Sequence, residues 1–90
     1  MVKDGDLLAV FNSIHRVLKA EKELKARGLP ILLIPAPRSI SADCGLAIRY
    51  APEERLLVEK AMAESDLLPV EIYVKRGEEY VKMQGLGTGG

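Results

Sequence analysis

The apolar residues of this chain come in short runs whose period changes in a fixed order, and that order leaves few folds open. Leu7-Leu8-Ala9-Val10-Phe11 is continuous and reads as a buried central strand. Asn12 and Ser13 follow, both good helix N-caps. Ile14, Val17, Leu18 and Leu24 then recur at helical spacing, with Lys and Glu on the other face. Gly28 ends this helix after Lys25 and Arg27. Ile31-Leu32-Leu33-Ile34 is the second strand. Leu46, Ile48 and Tyr50 alternate with Ala47 and Arg49 in a half-buried third. Pro52 opens a second helix, with Glu53 and Glu54 in its first turn and Leu57, Val58, Ala61 and Met62 as its buried stripe. Val70, Ile72 and Val74 alternate in a fourth strand that Pro69 starts, and residues 80–83 form a short extra one. The order β-α-β-β-α-β predicts an α+β, ferredoxin-like sandwich over residues 1–84, with two helices on one face of an antiparallel sheet. Residues 85–90 are mostly glycine and predict a frayed tail.

Ninety residues make one domain with a modest core, so a homodimer is a further expectation. Thirteen basic residues balance thirteen acidic ones, and Trp is absent. That composition argues against nucleic acid, which needs a basic stripe and stacking rings. No apolar stretch approaches the length of a membrane span, and no signal peptide is evident. One Cys and one His cannot assemble a metal quartet, and a single Cys cannot close an internal disulfide. The cytoplasm is the expected compartment.

The connection between the second and third strands is where function is expected. Hairpin loops need only about 2–5 residues, yet here Pro35 through Gly45 intervene and include the only cysteine. Surplus loop length in a small domain usually carries binding or chemistry. Cys44 reads either as a nucleophilic thiol, activated by Arg38 and by the start of the first helix, or as a buried packing residue. In the first case it is exposed and readily alkylated. Gly45 lets a ligand or backbone approach beside it. Arg38 reads as an anion or thiolate anchor, or as a solvated loop arginine. Ser39 and Ser41 donate to an anion or cap local turns. Sheet topology brings Asn12, Ser13 and His15 to the same edge as this loop. His15 is an acid or base there, or simply an exposed helix residue. Glu21 falls in the apolar stripe of the first helix. If buried it needs a partner, and Arg38 or Arg49 could supply it.

Ala20-Glu21, then Pro35-Ala36-Pro37-Arg38-Ser39-Ile40-Ser41, then Asp43-Cys44-Gly45-Leu46-Ala47-Ile48-Arg49 together resemble a bacterial and archaeal family of selenium/sulfur carrier-like proteins. The signature Pro-x-Pro-Arg-x-x-Ser-x-x-Cys-Gly is its distinctive part, and the similarity runs from about Leu7 to Tyr80. The resemblance implies that Cys44 is a carrier thiol holding covalent sulfur or selenium. Arg38, Ser41 and Gly45 would then form its loop, with Glu21 as a helix residue of the pattern; Ser39 as a further binding residue and His15 as a supporting one rest on the reading of the residues above. It implies donor and acceptor proteins as partners, no separate cofactor, and an accessory role in place of self-contained catalysis. The competing expectation is a small-anion-binding or regulatory module in which Cys44 only packs.

Overall fold

The structure is a computed structural model that describes residues 2–40 and 44–83. Ser41, Ala42, Asp43 and the glycine-rich tail lie outside the described residues. The elements are β1 (Leu7–Val10), α1 (Ile14–Ala26), β2 (Leu32–Pro35), β3 (Leu46–Tyr50), α2 (Arg55–Glu64), β4 (Glu71–Arg76) and β5 (Glu79–Lys82). The five strands form one sheet in the order β2-β3-β1-β4-β5, and every neighbouring pair is antiparallel.

β1 is buried along its whole length because it has a strand on each side and a core on each face. Its register sets Ala9 opposite Ile48 and Ile72, so successive side chains go alternately to the two faces. Leu7, Ala9 and Phe11 join Ile48, Tyr50 and Ile72 beneath both helices, which contribute Val17, Ala20 and Leu24 from α1 and Val58, Ala61 and Met62 from α2. Both helices therefore lie on one face, as the element order predicts. The other face has its own smaller core of Leu8, Val10, Ile34, Ala47 and Ile40. Val2, Ala36, Tyr73 and Tyr80 pack against it. Ile40 is the unexpected member, since it belongs to the long connection.

The ends of α1 follow the sequence. Ser13 Oγ accepts a hydrogen bond from Arg16 N at 3.1 Å. Gly28, at φ +76°, turns the chain in the left-handed conformation that glycine adopts freely. α2 differs from expectation at its start. Pro52–Glu54 form a short 3₁₀ turn and the α-helix begins only at Arg55. Val58, Ala61 and Met62 are buried as the spacing predicts, but Leu57 is 58% exposed where the sequence placed it in the buried stripe. Val70 is likewise exposed, just before β4.

Among the described residues the buried carboxylate is Asp6, not Glu21. Asp6 is 3% exposed. Its Oδ2 accepts from Arg49 Nη1 at 2.9 Å and from Lys3 N at 2.9 Å. Glu21 is half-buried and pairs with Lys25, one turn along the same helix, at 3.0 Å. The expected pairing of Glu21 with Arg38 or Arg49 is thus overturned. The helix flank that carries Glu21 faces partly outward, and Arg49 extends on the opposite face of the sheet, as its register with Leu8 requires. Tyr50, fully buried, donates to Glu59 at 2.9 Å. Burial, then the adjacent carboxylate, pushes its hydroxyl far above the ordinary tyrosine range.

Candidate functional site

The connection from β2 to β3 crosses the end of the sheet and is fastened on both faces. Pro35 and Pro37 restrict the backbone around them. Pro37 O then accepts from Ile40 N at 3.0 Å, which closes a β-turn. Arg38 and Ser39 form the tip of that turn and are exposed. The turn swings Ile40 onto the helix-free face, where it is buried against Leu8, Val10, Ile34 and Ala47. The chain returns at Cys44 on the helix-bearing face. Gly45 has φ +73°, and its carbonyl accepts from Ala36 N at 2.9 Å, so the two stems of the connection are tied together.

Cys44 is half-buried. Its Sγ lies within donating distance of two carbonyl oxygens, Phe11 O at 3.4 Å and Leu46 O at 3.3 Å. Both acceptors are backbone carbonyls, and the thiol's single proton can go to one of them at a time. Loss of that proton would set sulfur lone pairs against oxygen lone pairs. The nucleophilic form therefore requires these contacts to open. The expectation of an exposed thiol is corrected: the sulfur is half-buried at the end of β1.

The topology brings part of the expected set together. Phe11, which immediately precedes Asn12 and Ser13, touches the thiol through its carbonyl. Ser13 stands at the start of α1, with its hydroxyl oxygen accepting the cap hydrogen bond. His15, in the first turn of α1, is exposed. Among the described residues no hydrogen bond joins Arg38 or His15 to Cys44. Glu21 lies further along α1, with Lys25 as its partner. Gly45 is exposed beside the thiol, and an added Cβ there would meet nothing within 4 Å. Ser41 lies outside the described residues. Two features went unread in the sequence. One is the Phe11 carbonyl, which no side-chain pattern can announce. The other is Ile40, whose signal was available: it is the only large apolar residue between Ile34 and Cys44.

A cavity of about 270 Å³ lies elsewhere, between the end of α1 and α2, lined by Arg27, Leu29, Leu57, Lys60, Ala61 and Glu64. Arg27 bonds Glu64 at 2.8 Å across it, at the C-terminal end of α1, a 13-residue helix roughly 20 Å long at 1.5 Å per residue. Among the described residues no cluster of His, Cys, Asp and Glu is suited to a metal ion. Among the described residues no helix is long and apolar enough to cross a membrane.

The family model described as "Putative Se/S carrier protein-like" matches residues 6–74. That span runs from the buried Asp6 through β4 and contains the whole β2–β3 connection. No curated protein and no solved structure matches the chain.

Proposed function

Since the chain belongs to the family described as Putative Se/S carrier protein-like, we propose that Cys44 receives a sulfur or selenium atom from a donor protein and passes it to an acceptor. The observation that carries this reading is the placement of the only cysteine. It sits on a connection far longer than its strand pair needs, within the matched span, and its hydrogen-bond acceptors among the described residues are backbone carbonyls. In the sulfur case a donor persulfide meets the Cys44 thiol. The donor S–S bond breaks, a new S–S bond forms on Cys44, the donor cysteine leaves as a thiol, and the Cys44 proton balances it. No oxidant or reductant is consumed. One cysteine suffices, and the absence of a second prevents loss of the cargo to an internal disulfide.

The chain's own contribution is positional. The carbonyls of Phe11 and Leu46 park the thiol until a partner docks. Gly45 keeps the approach free of a side chain. Arg38 and Ser39, on the exposed turn, meet the incoming partner or its anionic sulfur, and Ser41 belongs to the same polar stretch. We read the fold as ferredoxin-like with β5 added outside β4, and the working compartment as the reducing cytoplasm, where a lone thiol stays available.

The same two carbonyl contacts also suit a thiol that only packs, which keeps a small-anion-binding module as the second reading. Intact mass after incubation with a persulfide-loaded cysteine desulfurase separates the two. The carrier gains one sulfur atom per chain, and Cys44→Ser gains none. A protein whose Cys44 reacts with alkylating agents but never gains sulfur from the desulfurase is not a carrier.

A further inference from the structure

The two sides of the Cys44 sulfur differ. On one side Phe11 O and Leu46 O stand 3.4 and 3.3 Å from Sγ. These are contact distances, so no further heavy atom fits between the oxygens and the sulfur. Gly45, next in the chain, is exposed, and among the described residues nothing lies within 4 Å of where its Cβ would stand. The half-buried sulfur therefore opens on the side that the carbonyls leave free. An atom bonded to Sγ has room only there.

A persulfide on Cys44 has two sulfur atoms, and a thiolate that attacks one or the other gives different products. Attack on the outer atom breaks the bond to Sγ and carries the outer sulfur to the acceptor as its persulfide. Cys44 then leaves as a thiolate and regains a proton from water. Attack on Sγ breaks the same bond, but the acceptor becomes joined to Cys44 by a disulfide and the cargo departs as hydrosulfide. Displacement at divalent sulfur runs in line with the bond that breaks. An attacker of Sγ must therefore enter opposite the outer atom, on the side held by the two carbonyls. A divalent sulfur is electron-poor on the extension of its S–S bond, so a carbonyl oxygen can stay there without the repulsion that a thiolate would meet.

We propose that the fold decides between these routes: the carbonyls of Phe11 and Leu46 block attack on Sγ, and an acceptor thiol takes the cargo from its outer end. This rests on the carrier reading and deepens it, because it fixes the class of reaction that consumes the cargo. If the outer atom acted instead as a nucleophile on an electrophilic substrate, the product would stay tethered to Cys44 through a disulfide. The chain has no second cysteine to release it. The consuming step is therefore transfer to a thiol of the acceptor protein. Emptying the carrier also restores a hydrogen bond, since only a protonated Sγ can donate to one of the two carbonyls.

The site of attack can be read without a partner protein. The full chain is loaded with inorganic polysulfide, and the species heavier by one sulfur atom is treated with one equivalent of glutathione. The mixture is quenched with iodoacetamide and resolved by intact mass under non-reducing conditions. The folded chain should end as the alkylated, unloaded thiol, with the sulfur on glutathione. The same loaded chain unfolded in urea should give the mixed disulfide with glutathione and release hydrosulfide. The ratio of transfer to discharge should be at least about tenfold higher in the folded chain. Equal ratios overturn the proposal, as does a mixed disulfide as the main product of the folded chain. A folded chain that polysulfide cannot load overturns it too, because the open side of the sulfur would then be closed. No desulfurase takes part, so failure to load from that enzyme counts against the carrier reading alone.

Discussion

Asp6→Ala leaves the Arg49 guanidinium against the sheet without its counter-charge. Removing one partner of a buried pair costs about 3–5 kcal/mol. In a chain of this size that should lower the melting temperature by more than about 10 °C. Glu21→Ala removes a pair whose lysine is largely in water, a loss of at most about 1 kcal/mol. Thermal unfolding of the two variants side by side checks the assignment, and equal losses would contradict it. Gly45→Ala tests the turn beside the thiol. There is room for the methyl group but the backbone is left-handed, so the cost is strain of about 1–2 kcal/mol without a clash. Cys44→Ser should fold normally, because a hydroxyl can donate to the Phe11 or the Leu46 carbonyl in the thiol's place. In the wild type those bonds should make alkylation of the native protein slower than that of the urea-unfolded chain at the same pH. Equal rates would mean that the contacts do not shelter the sulfur.

At the scale of elements, the sequence was most legible where one local rule decided the outcome. The β1 apolar run, the Ser13 cap and the Gly28 stop each specify their position through a few neighbouring residues. α2 was less legible only at its start, where Pro52 opens a 3₁₀ turn and Leu57 falls outside the stripe, while Val58, Ala61 and Met62 are buried as their spacing predicts. Glu21 was misassigned because helical phase cannot tell a flank from a buried centre when the stripe is only a few residues wide. Asp6 was missed because its burial depends on Arg49, a residue brought near only by strand pairing. The thiol's surroundings were half legible. Topology brought the end of β1 to the loop, but the acceptors there are main-chain atoms. The edge hairpin offers a test at low pH. Tyr73 donates to Glu71 at 2.7 Å, and this bond, assisted by Lys82, holds the Glu71 carboxyl below its ordinary value of 4.5. A carboxyl depressed in the folded state stabilises the fold above the unfolded value and loses that contribution as pH falls through the folded one. Tyr73→Phe should therefore lower the melting temperature slightly at pH 7, and the gap should shrink as pH drops below 4.5. A gap that stays constant to lower pH would assign the tyrosine's contribution to packing alone.

At the scale of the whole molecule, the sheet has one core on each face, and the long connection is the only described loop that contributes to both, through Ile40 and Cys44. Ile40→Ala opens a cavity in the smaller core and should cost about 2–5 kcal/mol. It should also speed alkylation of Cys44 severalfold in protein that still unfolds cooperatively, although the two side chains sit on different faces. Unchanged alkylation in a folded Ile40→Ala protein would show that the two anchors are independent.

The bond between Ala36 and Gly45 gives this arrangement one more consequence. It makes the cysteine's setting a property of the sheet and not of the signature peptide. The stretch from Pro35 to Gly45 could be transplanted intact onto another hairpin and would lose its thiol geometry unless the host also offered a strand end like Phe11, a greasy socket on the reverse face and stems at matching separation. The heritable unit of this site is therefore the cross-section of a domain, and a relative could keep every signature residue yet lose the site through a change beneath Ile40.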